Sequence, residues 1–318
     1  MDLTYPPVRL PARSALTRTL AAGALVAAAL SGCGDDDAGD ETPPVDGGRF
    51  DEERAFADLE AQVAIGPRPA GSPASRETAE LIADRLREAG AEDVVIQRPW
   101  LNVLGTIPGS GEGVVVVGAH HDTKDDVPPP FQGANDGASG VAVLLELART
   151  LPRPLPGPSV QLVAFDAEET TGDEPFLEGG IRGSRQYVEL ATAGGGQGAP
   201  ALDRIKAMVL FDLVGDCDLE IPREALSDAG LYQLFAKASE SIDGDPAPFV
   251  GSRSAVADDH VPFIQAGVPA VDLIDFTFGP GGSPGEWWHT PQDTLDKVCA
   301  ESLDEVGEAA LRAIPRIR

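Results

Sequence analysis

The sequence predicts an α/β fold: a single globular domain with a central mixed, largely parallel sheet flanked by helices. Short apolar runs alternate along the chain with longer segments in which apolar residues recur at helical spacing, a pattern typical of such sheets. The chain has 318 residues, a length that suits one large domain better than two small ones. Hydrophobic residues make up 42% but aromatic residues only 5%, so we expect a core of Val, Leu, Ile and Ala.

The predicted elements begin with two helices. Residues 51–65 place their apolar side chains on one helical face. Ser72 followed by Pro73 predicts the start of a second helix that runs to Gly90, because Ser is a favourable N-cap and Pro fits the first helical position. Further helices are predicted at 138–151 and 302–314, and strands at 94–96, 115–117, 160–165, 207–214 and 268–274.

Residues 1–33 have the features of a secretory signal. Three arginines precede an apolar run at 19–30, which is shorter than the roughly 20 residues of a membrane-spanning helix. The run ends in Leu30-Ser31-Gly32-Cys33, which resembles a bacterial lipobox, where the cysteine is lipidated and becomes the first mature residue. An ordinary cleaved signal with an incidental cysteine is the alternative. We expect an exported cell-envelope lipoprotein of a bacterium, facing the periplasm or the surface and held in the membrane only through Cys33.

The segment 34–49 has almost no apolar content, and we expect it to be an acidic, flexible tether to a folded domain at 50–318. Lys and Arg number 24 against 52 Asp and Glu, which gives a net charge of −28. This excludes a nucleic-acid partner, because binding to phosphates needs a basic face. We expect a monomer. Cys217 and Cys299 lack a CxxC context and could pair, but we expect them to be buried and free.

Polar side chains follow the predicted strands where these end, the place at which ligands gather in such folds. Unpaired carboxylates at these apolar boundaries would cost several kcal/mol to desolvate, and a divalent cation would offset that cost. All four histidines of the chain lie in these same segments. The candidate residues are His120, Asp136, Glu168, Glu169, Asp212, Asp258, Trp288 and His289.

The types of these side chains indicate zinc. Carboxylates with one or two imidazoles and no thiolate suit a zinc site with an open position, whereas calcium prefers more oxygens and no histidine. Neighbouring side chains in an extended segment point apart, so Glu168 and Glu169 cannot readily both reach one ion. We expect one to be a ligand and the other a proton carrier. A solvated acidic face is the alternative for this pair in a chain with 52 acids.

Eight short motifs occur in a definite order: GPRPAGS at 66–72, GAHHDTK at 118–124, GANDG at 133–137, FDAEE at 165–169, GSR at 183–185, DLVG at 212–215, DDHVPF at 258–263 and WHT at 288–290. This set resembles the zinc aminopeptidase superfamily, and within it the glutaminyl-peptide cyclotransferases (glutaminyl cyclases). The resemblance covers 50–318. It implies that Glu168 is the general acid and base and that three residues bind zinc: Asp136, Glu169 and His289.

The number of zinc ions differs between the two branches that the motifs resemble. In the aminopeptidases, the counterparts of His120 and Asp212 complete a second zinc site that shares Asp136. In the cyclases one zinc is usual, and the counterpart of Asp212 joins a carboxylate network with that of Asp258. The resemblance therefore implies one zinc here, with two as the alternative.

Three details resemble the cyclases more than the peptidases: Lys124 after the His-x-Asp-Thr turn, Asp258 at the start of its motif, and Trp288, which would wall the substrate pocket. We therefore expect zinc-dependent cyclisation of the amino-terminal glutamine of peptides or proteins to pyroglutamate, with release of ammonia. An exported zinc aminopeptidase is the alternative. A non-catalytic surface lipoprotein that binds peptides or metal is the third possibility.

Overall fold

A computed structural model describes residues 49–318 except 130, 173, 243–247 and 252. The predicted signal, Cys33 and nearly all of the predicted tether lie outside the described residues. In the part that is described, no helix has the length and apolar character needed to cross a membrane.

A six-stranded sheet forms the centre of the domain, with the strand order β1-β2-β4-β3-β5-β8. Strands β3, β4, β5 and β8 run parallel, and β1 and β2 add an antiparallel edge beside β4. The predicted mixed, largely parallel sheet is thus confirmed. The strands are β1 Glu92–Ile96, β2 Val103–Ile107, β3 Val114–His120, β4 Ser159–Phe165, β5 Ile205–Asp212 and β8 Ala270–Ile274, and a separate small pair is β6 Arg223–Glu224 with β7 Arg253–Ser254.

Helices cover both faces of the sheet, as predicted. Their bounds are α1 Glu52–Ile65, α2 Pro73–Glu88, α3 Ser139–Thr150, α4 Phe176–Gly179, α5 Arg182–Thr192, α6 Ala229–Glu240, α7 Val261–Gln265 and α8 Ala300–Ala313. One face carries a large core shared with α1, α2, α3, α6 and α8, and the other a smaller core with α5 and α7. Every residue of α3 except Arg149 is buried, because this helix lies between the sheet and the outer helices α1 and α8.

The helix starts follow the capping signals in the sequence. The Asp51 carboxylate accepts a hydrogen bond from the backbone N–H of Arg54 at 3.0 Å, and α1 begins one residue after this cap. The Ser72 hydroxyl accepts one from the N–H of Ser75 at 2.9 Å, and Pro73 is the first residue of α2 as predicted. Both side chains satisfy backbone donors that have no partner inside the helix.

Seven elements were not predicted: strand β2, the short pair β6 and β7, and helices α4 to α7. Strand β2 contains Gly105, which interrupts its short apolar run, and only its pairing with β1 and β4 makes it a strand. A side chain at this position would meet Ala91 and Leu86 at 3.1–3.2 Å, so the glycine lets α2 lie close to the sheet. Helix α5 is rich in polar residues that mask its apolar spacing, whereas α6 carries Leu231, Leu234, Phe235 and Ala238 at helical spacing and so holds a helix signal.

The expectation that Cys217 and Cys299 are buried and free is wrong. The two residues form a disulfide bond with their Cα atoms 4.9 Å apart, and Cys217 is exposed. An isolated β-bridge joins Asp216 to Val298, and the N–H of Cys299 donates to the carbonyl of Gly215 at 3.0 Å. This pairing brings two cysteines that are 82 positions apart in the chain side by side.

Candidate metal centre and active site

The site forms where parallel strands end at one edge of the sheet. His120 is the last residue of β3 and Asp212 the last of β5, and the pair Glu168-Glu169 follows the end of β4. Because β3 lies between β4 and β5, these side chains meet above the middle of the sheet. Asp136 enters from the loop before α3.

Asp136 connects two groups of potential ligands. Its Oδ1 lies 3.3 Å from His120 Nε2, and its Oδ2 lies 3.3 Å from His289 Nε2. On one side His120 Nε2 is also 3.2 Å from Asp212 Oδ1. On the other side His289 Nε2 is 2.8 Å from Glu169 Oε1. The structure thus brings together all five residues that the sequence proposed as metal ligands.

The group formed by Asp136, Glu169 and His289 fits zinc. One ligand atom from each lies within 4.8 Å of the others, close enough for all three to reach one ion. The Oδ2 atom of Asp136 is buried without a hydrogen-bond partner, as expected of an atom that awaits a cation. Two carboxylates and one imidazole leave a fourth position open, the arrangement of catalytic zinc sites. His120, Asp136 and Asp212 form a second group within the same distance limit.

Glu168 and Glu169 are adjacent in the chain, and the turn that carries them is held in place by hydrogen bonds to its backbone. The Asp122 carboxylate fixes their backbone: it accepts hydrogen bonds from the N–H of Glu168 at 3.0 Å and from that of Glu169 at 3.2 Å. Ala167 has a φ of +58°, which turns the chain sharply after β4. Among the described residues, Glu169 belongs to a potential ligand group and Glu168 does not.

Burial controls the protonation of Glu168. Desolvation raises its pKa well above the ordinary value, and the nearby carboxylates of Asp258 and Glu169 raise it further. Desolvation likewise raises the pKa of Asp258 well above its usual range, with added effects from Asp212 and Asp259. A carboxyl group with a raised pKa holds a proton more readily than an ordinary one, and a group that accepts and returns a proton is what general acid and base catalysis needs.

At the imidazole of His289, burial and the neighbouring charges shift the pKa in opposite directions. Burial alone would lower the pKa of His289, but the carboxylates of Asp136 and Glu169 outweigh it and raise the pKa to about 10. Burial raises the pKa of Glu169 to about 7, with Asp136 adding to the effect. The carboxylates of the site therefore carry more negative charge than its imidazoles can neutralise. A bound cation would neutralise the excess.

Trp288 lies against the metal-ligand group. Its ring stacks on that of His289 with centroids 3.8 Å apart, and it contacts Phe276 edge-on at 4.9 Å. His289 itself has a φ of +53°, and Leu213, which follows Asp212, has a φ of +50°. Non-glycine residues seldom adopt this conformation, and such backbone strain concentrates at functional sites.

Several residues of the site were missed as functional in the sequence. Arg68 is fully buried, and its guanidinium donates to the carbonyls of His121, Gln132 and Gly133 at 2.7–2.9 Å, fixing the loops around the site. Arg68 and Asp122 stand in quoted motifs, which is the signal that could have identified them. Asp293, whose carboxylate accepts hydrogen bonds from the backbone N–H groups of Asn135 and Asp136, had no local sequence signal. Two of the four histidines also lie apart from the metal ligands: His121 contacts the Leu101 carbonyl, and His260 lies between Glu224 and Asp272.

The model of Peptidase family M28 matches residues 102–314, about two thirds of the chain. The chain therefore belongs to peptidase family M28. Members of this family depend on zinc, in agreement with the donor set found here.

Within family M28, the chain is similar to proteins of both branches. A crystal structure of a glutaminyl cyclase from an Acidobacteriales bacterium superposes with a TM-score of 0.74 at 31% identity, covering 87% of this chain and 98% of that one. The glutaminyl-peptide cyclotransferase of Bos taurus is 26% identical over 280 residues, which are 74% of this chain and 75% of that protein. Aminopeptidase YwaD of Bacillus subtilis is 30% identical over 209 residues, 63% of this chain but only 40% of that protein. The resemblance to glutaminyl cyclases is confirmed.

Proposed function

We propose that this M28 protein is a glutaminyl-peptide cyclotransferase that converts the amino-terminal glutamine of peptides or proteins to pyroglutamate. The observation that carries the proposal is the position of Glu168: a buried carboxyl group with a raised pKa, directly beside the Asp136–Glu169–His289 group but outside it. The similarity to a bacterial glutaminyl cyclase covers 98% of that enzyme's chain, and it supports this reaction rather than peptide hydrolysis.

The chemistry is an intramolecular transfer. The α-amine of the substrate attacks its own γ-carbonyl carbon, a C–N bond forms, and the bond to the side-chain nitrogen breaks to release ammonia. Glu168 accepts the proton that the amine loses and returns it to the departing nitrogen. Because the nucleophile and the carbonyl belong to one molecule, correct positioning supplies much of the rate.

The remaining residues hold the substrate and the cation. Asp136, Glu169 and His289 would bind one zinc ion. When bound there, zinc supplies a Lewis acid that polarises a carbonyl oxygen. Trp288 forms an apolar wall next to these ligands, and the partly buried carboxyl group of Asp212 and the buried one of Asp258 would hold the amine end of the substrate.

The test uses the full-length protein loaded with zinc. It is incubated with one peptide that begins with Gln and a matched peptide that begins with Leu, and the products are read by mass spectrometry. Loss of ammonia from the first peptide, with the second unchanged, is expected. Release of a free amino acid from either peptide would overturn the proposal and assign an aminopeptidase.

We further propose that the protein is exported and anchored through a lipid on Cys33. The disulfide bond between Cys217 and Cys299 supports an oxidising compartment. Expression in a bacterium fed a radiolabelled fatty acid should label the wild type, and Cys33→Ala should abolish both the label and partition into detergent. Equal detergent partition of the two proteins would refute the anchor.

A further inference from the structure

Three arginines line one cleft of about 520 Å³ beside the metal centre: Arg98, Arg182 and Arg185. Trp100 forms an aromatic wall of this space, and Glu189 is the acidic residue among the described residues that line it. We call it the arginine cleft. In a chain with 52 acidic and 24 basic residues, three positive charges against one negative charge give this cleft a sign opposite to that of the protein as a whole.

The strand order places the arginine cleft on the side of the sheet where the parallel strands have their carboxyl ends, which is also the side of the metal centre. Arg98 follows the end of β1, and Trp100 precedes β2. Ile96 pairs with Val103, and Val103 pairs with Ala164 near the end of β4. The turn between β1 and β2 therefore lies beside the end of β4, which leads to Glu168 and Glu169.

Arg182 connects the two places directly. Its guanidinium carbon lies 4.6 Å from the centre of the Trp100 ring, and its Nη2 donates to the backbone carbonyl of Glu169 at 3.0 Å. Arg182 also lines a second cleft of about 270 Å³, which includes Glu169 and Thr170. The arginine cleft thus begins one side chain away from a proposed metal ligand.

The guanidinium groups of the cleft donate their hydrogen bonds to uncharged acceptors, so their positive charge is available to an anionic ligand. In the described part of the chain their hydrogen-bond acceptors are backbone carbonyls: Gln97 for Arg98, Glu169 for Arg182, and Leu177 and Glu178 for Arg185. The Nε atom of Arg182 is buried and has no hydrogen-bond partner. Carbonyls hold these side chains in place but do not neutralise them, and arginine binds carboxylates in a planar, bidentate geometry.

We propose that the arginine cleft binds a carboxylate of the peptide substrate, carried by an acidic residue downstream of the amino-terminal glutamine. This inference rests on the proposed cyclase function, because it places the amino terminus of the peptide at the metal centre. The cleft then adds a preference for acidic peptides to the recognition of the amino-terminal glutamine at the metal centre.

The test compares peptides that begin with Gln and carry Glu, Gln or Lys at one position, moved from the third to the seventh residue. With the full-length, zinc-loaded protein, the KM of the best Glu peptide should be about fivefold below that of its Lys counterpart, the effect of one or two exposed ion pairs. The double variant Arg98→Gln/Arg185→Gln should remove the difference, and turnover of glutamine amide should not change. Arg182 is left intact because it contacts Glu169.

A matched control separates the cleft from overall charge. Arg204 and Lys237 are exposed elsewhere, so Arg204→Gln/Lys237→Gln removes the same charge and should keep the preference. The ratio of the KM of the Lys peptide to that of the Glu peptide should also fall as the salt concentration rises from about 0.02 to about 0.5 M, since exposed charges are screened. A wild-type protein without the preference, or a cleft variant that retains it, would overturn the proposal while leaving the cyclase function intact.

Binding without turnover tests the cleft even if no peptide is cyclised. Zinc-free protein is titrated into the same peptides, labelled with fluorescein at the carboxyl end, and anisotropy gives their Kd. Tighter binding of the Glu peptide by the wild type than by Arg98→Gln/Arg185→Gln supports the cleft. Equal binding by the two proteins refutes it. Absence of ammonia release from every peptide would refute the cyclase function separately.

Discussion

Asp293 fixes the backbone of Asp136: its carboxylate accepts a hydrogen bond from the backbone N–H of Asp136 at 3.1 Å, although the two residues are 157 positions apart. The other carboxylate oxygen accepts from the N–H of Asn135 at 2.7 Å. Asp136 is the residue that both ligand groups share, so its placement determines the geometry of the whole centre. Residues that orient metal ligands in this way affect affinity without touching the ion.

Asp293→Ala should therefore weaken zinc binding by about 10–100-fold, because the loop that carries Asp136 loses two hydrogen bonds. Competition with a chromophoric chelator measures the affinity. Asp293→Asn keeps one acceptor oxygen and should give an intermediate value, and Asp203→Ala, at an exposed position, should leave the affinity unchanged. Wild-type affinity in Asp293→Ala would contradict this role.

Substitution should distinguish the roles of the adjacent residues Glu168 and Glu169. Glu168→Gln should keep the zinc and lose turnover by about 10²–10⁴-fold, because the proton carrier is removed while the ligands stay. Glu169→Gln should lose the zinc itself, because its Oε1 belongs to the Asp136–Glu169–His289 group. Elemental analysis and ammonia release on the same preparations measure both quantities. Loss of zinc in Glu168→Gln instead would reverse the two roles.

The same preparations report the number of ions. One zinc per wild-type chain, unchanged in Asp212→Asn, is expected for a single centre. Two ions per chain, with activity following the one that Asp212→Asn removes, would indicate a dinuclear centre shared through Asp136.

The disulfide bond joins Cys217, which follows Asp212 in the chain, to Cys299, which follows His289. It therefore links two segments that lead away from residues of the site. Cys217→Ser/Cys299→Ser should lower the free energy of unfolding by about 2–4 kcal/mol, because the cross-link restricts the unfolded chain. Urea unfolding measures this loss. A reductant should destabilise the wild type by a similar amount and leave the double variant unaffected. A wild type that is indifferent to the reductant would show that the bond contributes nothing.

The metal ligands were predictable because each stands in one of the ordered motifs that resemble the zinc aminopeptidase superfamily. The resemblance implied Asp136, Glu169 and His289 as the ligands, and polar side chains at the strand ends were expected to gather around a ligand. Asp293 could not be found in this way, since its function depends on a contact across the fold and no neighbouring residue marks it. The disulfide was missed for the same reason: the bridge between Asp216 and Val298 aligns the two cysteines only in the folded chain.

Local patterns also decided which elements of the sheet were predicted. Strands β3, β4 and β5 are buried on both faces and read as continuous apolar runs. Strand β2 contains Gly105 and Thr106 and is stabilised by its neighbours rather than by its own propensity. The arginine cleft was equally invisible, because Arg98 and Arg182 are far apart in the chain and meet only through the antiparallel edge of the sheet.

Asp304 on α8 offers a test of electrostatics away from the site. Burial raises its pKa to about 6, with the nearby carboxylates of Glu308 and Glu52 adding to the effect. The folded state therefore binds a proton more tightly than the unfolded chain, whose Asp pKa is about 3.9. Between these two pH values the folded protein holds more protons, so the contribution of Asp304 to stability falls as pH rises from about 4 to about 6.

Asp304→Asn should consequently raise stability at pH 7 and leave it nearly unchanged at pH 4, where the wild-type carboxyl group is largely protonated in the folded state. After discounting for the exposure of this half-buried side chain, we expect a gain of about 1 kcal/mol or less, which corresponds to a rise in Tm of roughly 2–4 °C at most. Thermal unfolding of the metal-free protein at both pH values measures it. Asp203→Asn removes the same charge at an exposed position and should show a smaller gain at pH 7, because water screens a charge there. Equal gains in the two variants would mean that overall charge, and not the surroundings of Asp304, sets the effect.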